Sequence, residues 1–325
     1  MSEAALPDAP GADAKRAEQP FARWRVQAVV NLHAGAALGL THGDIERTVT
    51  EAFTRAGHAI SVVCVAPQRI EAAIAQAAAS DIDVLVVGGG DGTVRTAARH
   101  VIGTDKAIGI LPLGTMNRMA KDLEIPLSLG AAAEFLAAAV PSKIDVATLN
   151  GSIFLCNSIM GATLRFSVGR AMLRGRSARE RLPRYFMILR DILSSRRKLS
   201  IVVDNGEERL RIRALSLAVT NNGYDETMSW FRRPRLATGT LTMYVSKHRS
   251  GVGLAMALGR ALIGRWRGDP EMVKLTGSEF VIYTRKRSKW LANDGELCKF
   301  DTPLNYGIMP RALNILMKPE PDRTS

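Results

Sequence analysis

The sequence predicts two joined folds: an α/β domain with a parallel sheet over residues 24–142, then an antiparallel β-sandwich domain over 143–318. From 26 to 140, apolar strand-like runs alternate with helical periodicity, which indicates a parallel sheet with helices on both faces. After about residue 143, strand-like runs follow one another through Asn-Gly and other glycine-containing turns, as in an antiparallel domain. A third observation locates a site. The stretch "DVLVVGGGDGTVRTAARH" (83–100) runs a buried strand straight into a glycine loop and a helix, and ligands of such folds bind at the carboxyl ends of the strands.

The elements follow in order. "VQAVVN" (26–31) reads as a buried strand. "DIERTVTEAFTRAG" (44–57) places Ile45, Val49, Ala52 and Phe53 on one helical face, with Gly57 closing the helix. "HAISVVCVA" (58–66) is strand, "RIEAAIAQAAA" (69–79) helix, "IDVLVV" (82–87) strand and 93–101 helix. "AIGIL" (107–111) is strand and "LSLGAAAEFLAAAV" (127–140) helix. In the second half, strands are expected in 144–160, 199–222, 239–247, 279–297 and 312–318, interrupted by helical stretches near 167–196 and 250–264.

Composition narrows the class. Hydrophobic residues make up 46% and charged residues 23%, which suits a globular protein with a real core. The opening "MSEAALPDAPGADAKRAEQP" lacks the apolar core of a secretory signal, so residues 1–23 read as a disordered tail, with 319–325 a second one. No uninterrupted apolar run reaches the ~20 residues of a membrane span. The nearest, 251–264, is broken by Arg260. Cys64, Cys156 and Cys298 have the spacing of neither a zinc site nor a disulfide framework, so buried reduced thiols in a cytoplasmic protein are expected. The net charge of +13 favours polyanionic partners without choosing among them.

The glycines point to phosphate. Lacking a Cβ, glycine admits φ > 0 and close approach of backbone to ligand. Gly88, Gly89, Gly90 and Gly92 can present several N–H groups to one anion, with the following helix adding its positive end. Asp91 would repel a phosphate unless a divalent cation such as Mg²⁺ bridges the two. The alternative is a tight strand–helix turn with Asp91 as N-cap. A second loop, "ILPLGTMNRMAKDL" (110–123), brings Gly114, Thr115 and Asn117 to the same sheet edge, and the first strand ends at Asn31. Far along the chain, "WLANDGELCKF" (290–300) holds Asp294 and Glu296 two apart. In regular strand both carboxylates would share a face, ready for acid–base or metal work; an Asp-Gly hairpin turn explains the same letters.

"GGGDGTV", "LPLGTMNRMA" and "NDGEL", in that order, resemble the diacylglycerol kinase catalytic family, in its bacterial lipid kinase branch related to sphingosine and ceramide kinases. NAD kinases share the Gly-Gly-Asp-Gly core, but "GTMNRMA" with Asn117 points to the lipid kinases. The resemblance implies a nucleotide cleft between the α/β and β-sandwich domains, with ATP and Mg²⁺ as cofactors. It implies that Asn31, Gly89, Gly90, Asp91, Gly92, Thr93, Gly114, Thr115 and Asn117 bind nucleotide and that Asp91 meets the metal directly or through water. It also implies that Asp294 is the general base for a lipid hydroxyl, assisted by Glu296. Departures are Leu32 in place of a proline in the first loop, Pro67 and Gln68 where a Thr or Ser often precedes the second helix, Thr238 where an aspartate often precedes the glycine of a late strand, and "GATLRFS", which lacks an acidic residue often found just after its glycine.

An acceptor in a membrane would suit the stretch 165–198, which has eleven basic and two acidic residues and a net charge of +9. Arginines there alternate with Met, Leu, Phe and Tyr, as in a segment lying on anionic lipid at the inner face of a membrane; a solvated helical pair is the alternative. Arg285, Lys286, Arg287 and Lys289 form a second basic set. The expected function is an ATP-dependent lipid kinase. The competing readings are an NAD kinase-like enzyme and a non-catalytic nucleotide- or lipid-binding regulator. Nucleic acid is not an expected partner, because no aromatic platform or recognised module accompanies the charge.

Overall fold

The computed structural model describes residues 23–32, 41–164, 198–204, 208–227 and 231–319, with a few isolated positions between 183 and 206. The parallel part has strands β1 (Arg25–Asn31), β2 (Ala59–Val65), β3 (Val84–Gly89) and β4 (Ala107–Pro112), in the spatial order β2-β1-β3-β4. Every residue of β3 and β4 is buried, as in strands covered on both faces. The covering helices pack as pairs, α1 (His42–Arg55) with α5 (Leu129–Ala137) and α2 (Ile70–Ala79) with α3 (Asp91–Val101). A short α4 (Arg118–Asp122) follows β4. Helix α1 forms as its sequence dictates. Thr41 Oγ1 accepts the Asp44 N–H at 3.1 Å, Ile45, Val49, Ala52 and Phe53 are buried, and Gly57 takes φ +87° just past the end.

The second half is antiparallel. Its strands are β5 (Val140–Leu149), β6 (Ser152–Phe154), β7 (Asn157–Gly161), β8 (Leu199–Asp204), β9 (Arg209–Ala214), β10 (Ser216–Asn221), β11 (Leu241–Ser246), β12 (Met272–Gly277), β13 (Glu279–Thr284), β14 (Ser288–Asn293), β15 (Glu296–Asp301) and β16 (Leu304–Met317). One sheet has the order β12-β11-β10-β7-β14-β15. The facing layer contains β16, β13, β8 and β9, with β5 and β6 alongside. Between them lie Phe154, Met160, Met243, Phe280, Leu291 and Leu304. Helix α6 (Gly251–Leu262) connects β11 to β12, near the expected 250–264. The helical reading at 167–196 and most of the basic stretch 165–198 lie outside the described residues.

The fold class is as expected, with one addition. The parallel and antiparallel parts share one ten-stranded sheet, because β16 belongs to both. Its first residues pair with β13, and its last pair in parallel with β4 at Ala107 and Ile108, while β5 runs antiparallel along most of it. The 142/143 division read from the sequence falls inside β5. Strand β12, most of β15 and the first half of β16 lie outside the strand ranges expected from the sequence. The thiols differ in part: Cys156 is buried, but Cys64 and Cys298 are half-buried, since β2 and β15 are edge strands with one face less covered. Burial, with Glu46 nearby, pushes the Cys64 thiol up to about 11. Among the described residues, no helix is long and apolar enough to cross a membrane.

A buried carboxylate pins the shared strand. Asp145 on β5 accepts the Arg311 N–H (2.9 Å) at the irregularity in β16 and the Gly239 N–H (2.7 Å) before β11. Asp145→Ala leaves both amides without this acceptor and is predicted to lower stability by about 1–3 kcal/mol, read as a shift of the urea midpoint.

Candidate active site

The two glycine loops meet at the carboxyl ends of β3 and β4, where Gly89 and Pro112 are in register. Their glycines are there for space rather than for unusual dihedrals: none of Gly88, Gly89, Gly90, Gly92 or Gly114 lies in the left-handed region. A Cβ on Gly88 would stand 2.8 Å from Val30 Cγ1. One on Gly114 would overlap the Cα of Gly90, so the loops approach backbone to backbone. The side chain of Thr93 lies over Gly89, and its N–H donates to the Gly90 carbonyl at 2.9 Å. Asp91 is not the N-cap. Gly90 holds that position, and Asp91 Oδ1 instead accepts the Met119 N–H at 3.2 Å, which ties α3 to α4.

Asn117 takes φ +47° and turns the chain into α4. Its Nδ2 donates to the carbonyls of Pro112 (2.8 Å) and Gly114 (2.9 Å), while its buried Oδ1 has no partner within the protein. Thr115 is exposed beside it, and Asn31 ends β1 opposite Val65 of β2. The orphaned Asn117 oxygen and the crowded glycine backbone suit a nucleotide that brings its own donors. Among the described residues, no three His, Cys, Asp or Glu side chains cluster to hold a metal. A magnesium ion carried on phosphates needs only one or two protein carboxylates. Asp91, with Oδ1 engaged by Met119, fits that role.

The stretch 293–296 resolves as the hairpin. Asp294 (φ +47°) and Gly295 (φ +83°) form the two-residue turn between β14 and β15, with Asn293 opposite Glu296. The carboxylates therefore do not share a strand face. Asp294 is buried and accepts the N–H groups of Leu155 (2.8 Å), Cys156 (2.7 Å) and Asn157 (3.1 Å). Burial pushes its carboxyl above the usual range, and these amides, with the charge of Arg95, push back. Glu296 is more exposed. One oxygen lies against Gly92 of the first glycine loop, and the other pairs with Arg95 on α3. Arg95 Nη1 also donates to the Asn293 carbonyl at 3.0 Å. The hairpin and the first glycine loop, some 200 residues apart in sequence, thus form one corner.

Several residues here were not foreseen. Arg95 follows Asp91 by one helical turn, so helical spacing alone places the two on one face. Arg233 reads as part of a solvated run, "FRRPR", yet its side chain is fully buried. It pairs with Asp122 of α4 at 2.6 Å and donates to the carbonyls of Leu155 (2.6 Å) and Asn221 (2.8 Å). Tyr224 joins two further groups: its hydroxyl accepts from Asn157 Nδ2 (2.8 Å) and Arg118 Nη2 (3.2 Å). Its ring helps line an apolar pocket with Phe231, Tyr244, Leu254 and Trp266, on the face of β10–β11 turned away from the sandwich core. No local pattern announces such long-range partners.

A model of the "Diacylglycerol kinase catalytic domain" family matches residues 25–149. Residues 25–149 are thus similar to the catalytic domain of that family. Over 124 residues, 37% of this chain and 33% of the relative, it is 34% identical to a "Probable lipid kinase YegS-like" protein of Yersinia pestis. A protein of the same description from Yersinia enterocolitica is 33% identical over 90 residues, covering 26% of this chain and 30% of the relative. The match thus spans about a third of the length of these curated relatives. The crystal structure of a diacylglycerol kinase from Bacillus anthracis superposes with TM-score 0.68 at 18% identity, covering 92% of this chain and 99% of that one. Another Bacillus anthracis structure reaches TM-score 0.74 at 19% identity, covering 93% and 98%. The fold of those structures, with its two-part architecture, is therefore shared along nearly the whole chain.

Removing one member of a buried ion pair leaves the other charge unsolvated. Arg233→Met is predicted to destabilise by about 3–5 kcal/mol in urea titration, and Asp122→Leu added to it to recover much of the loss.

Proposed function

We propose that the protein is an ATP-dependent lipid kinase that transfers the γ-phosphoryl group of ATP to the hydroxyl of diacylglycerol or a related membrane lipid. The observation that carries this reading is the corner where the 294–296 hairpin touches Gly92 and Arg95 of the glycine loop and its helix. Phosphoryl transfer asks the protein mainly for positioning and charge neutralisation. In this reading residues 24–142 supply the nucleotide side and 143–318 the lipid side.

Amides of Gly89, Gly90, Gly92 and Thr93 hold the phosphates, and Asn31, Gly114, Thr115 and Asn117 the rest of the nucleotide. Asp91 would hold a magnesium ion, which would supply positive charge to offset that of the phosphates. Asp294 accepts the hydroxyl proton. A carboxylate offers about four lone-pair sites. Three amides occupy three of them at Asp294, two on Oδ1 and one on Oδ2, which leaves Oδ2 a site for the incoming hydroxyl. The amides fix its direction, and burial raises its basicity. Glu296 assists from beside Gly92 and keeps Arg95 at the cleft. The apolar pocket reached through Tyr224 supports a lipid acceptor over a polar one such as NAD.

The test pairs binding with turnover. Asp294→Asn is predicted to bind Mg-ATP in calorimetry with little change while turnover falls by about 10²–10⁴-fold. Asp91→Ala is predicted to lose metal-dependent binding and activity together. Labelled ATP incubated with a lipid extract identifies the acceptor; no labelled lipid from the parent protein would sink the reading. Because Asp294 must be unprotonated to act, its raised carboxyl predicts that activity is lost on the acid side at a higher pH than an ordinary aspartate would give.

A further inference from the structure

Helix α6 is apolar on two opposite sides. Its inner side, with Leu254, Ala257 and Ala261, is buried and covers the aromatic pocket of Tyr224, Tyr244 and Trp266. Its outer side would be polar on an ordinary surface helix. Here Val252 is 49% exposed, Met256 59% and Ile263 62%, with Leu262 at 39% beside them. Val252 and Met256 are four residues apart and Ile263 follows seven later, so the three lie along one stripe. An exposed apolar stripe of this kind marks a contact surface.

Charge around the stripe selects the contact. Lys247 and Arg249 stand exposed before the helix, and Arg260, Arg265 and Arg267 at its end. Two acidic residues follow: Asp269 has a buried side chain, with His248 and Arg260 beside its carboxylate, and Glu271, 43% exposed, also lies against His248, which leaves the basic residues in excess. The face thus combines an apolar line with a basic rim, the pattern of a helix lying in a headgroup layer. A protein partner would need an acidic groove of matching shape; an anionic bilayer supplies both properties over its whole surface.

We propose that α6 docks this protein on an anionic lipid bilayer, with Val252, Met256 and Ile263 entering the interface and the surrounding Lys and Arg residues meeting lipid phosphates. The same helix would then set the pocket beneath it at the bilayer surface, where a lipid can pass between the two. The choice of a membrane rests on the lipid kinase reading, but the test below uses neither ATP nor turnover. A chain without kinase activity would still answer it.

Methionine oxidation gives a residue-resolved readout on the unmodified protein. Met256 is exposed on the stripe, and Met187, 56% exposed, lies in the basic 165–198 stretch, so the two report on competing attachments. With phosphatidylglycerol-containing vesicles, sulfoxide formation at Met256, followed by mass spectrometry, is expected to slow by about tenfold. With phosphatidylcholine vesicles, or with anionic vesicles at high salt, it is expected to stay near the vesicle-free rate. An unchanged Met256 rate on anionic vesicles, or shielding confined to Met187, overturns the proposal. Shielding that ignores lipid charge overturns it too, as does shielding that grows with protein concentration in the absence of vesicles, which would assign the stripe to a second copy of the chain. In flotation, Met256→Asp is expected to reduce the anionic-vesicle-bound fraction by about tenfold with an unchanged melting temperature. Flotation equal to the parent overturns the proposal as well.

Discussion

The backbone segment 155–157 is held from both sides by buried charges, and the geometry of the corner between hairpin and glycine loop depends on it. Asp294 takes its three amide protons, while Arg233 takes the Leu155 carbonyl and is itself anchored by Asp122. Asp122 ends α4, whose Met119 amide is bound by Asp91. A chain of short polar contacts thus runs from Asp91, through α4, Arg233 and the 155–157 backbone, to Asp294. Buried ion pairs add little to stability compared with well-packed apolar groups. What this chain of contacts provides is direction. Each link is short and directional, so a shift at one end strains the next.

That arrangement explains what could be read from the sequence and what could not. The βα alternation, the glycine loops and α1 with its four buried apolar residues were legible because each depends on residues near one another in sequence. The roles of the glycines were legible only in part. Their small size pointed correctly to close approach, but only the fold reveals that Gly114 meets Gly90 rather than adopting a left-handed turn. Strand β16 escaped a two-domain reading because one long strand serves both parts of the sheet, a property of pairing rather than of composition. Arg233 and Tyr224 were illegible for a related reason. A charged run and an isolated tyrosine look solvated until partners 78 and 67 residues away enclose them.

The Tyr224 hydroxyl connects two different environments. On one side lie Asn157, whose own amide bonds Asp294, and Arg118, next to Asn117 of the second glycine loop. On the other lies a wall of aromatic rings beneath α6. In the proposed lipid kinase reading, an apolar acceptor chain and a phosphate donor would approach this polar node from opposite directions.

The contacts that join the hairpin to the glycine loop and α3 differ in character from the contacts behind them. Arg233 and Asp122 are sealed from water, so separating them exposes unpaired charge in a low-dielectric setting and is costly. Arg95 and Glu296 meet at the open side, with 14% and 43% of their side chains exposed, where water and salt screen the attraction. Parting the halves at the Glu296 edge therefore costs much less than parting them at Arg233. Any opening motion is thus biased to pivot about the buried pair and to widen the side on which Gly92 and Glu296 face each other. The asymmetry follows from burial alone, and it leaves the 155–157 cradle of Asp294 on the stationary side.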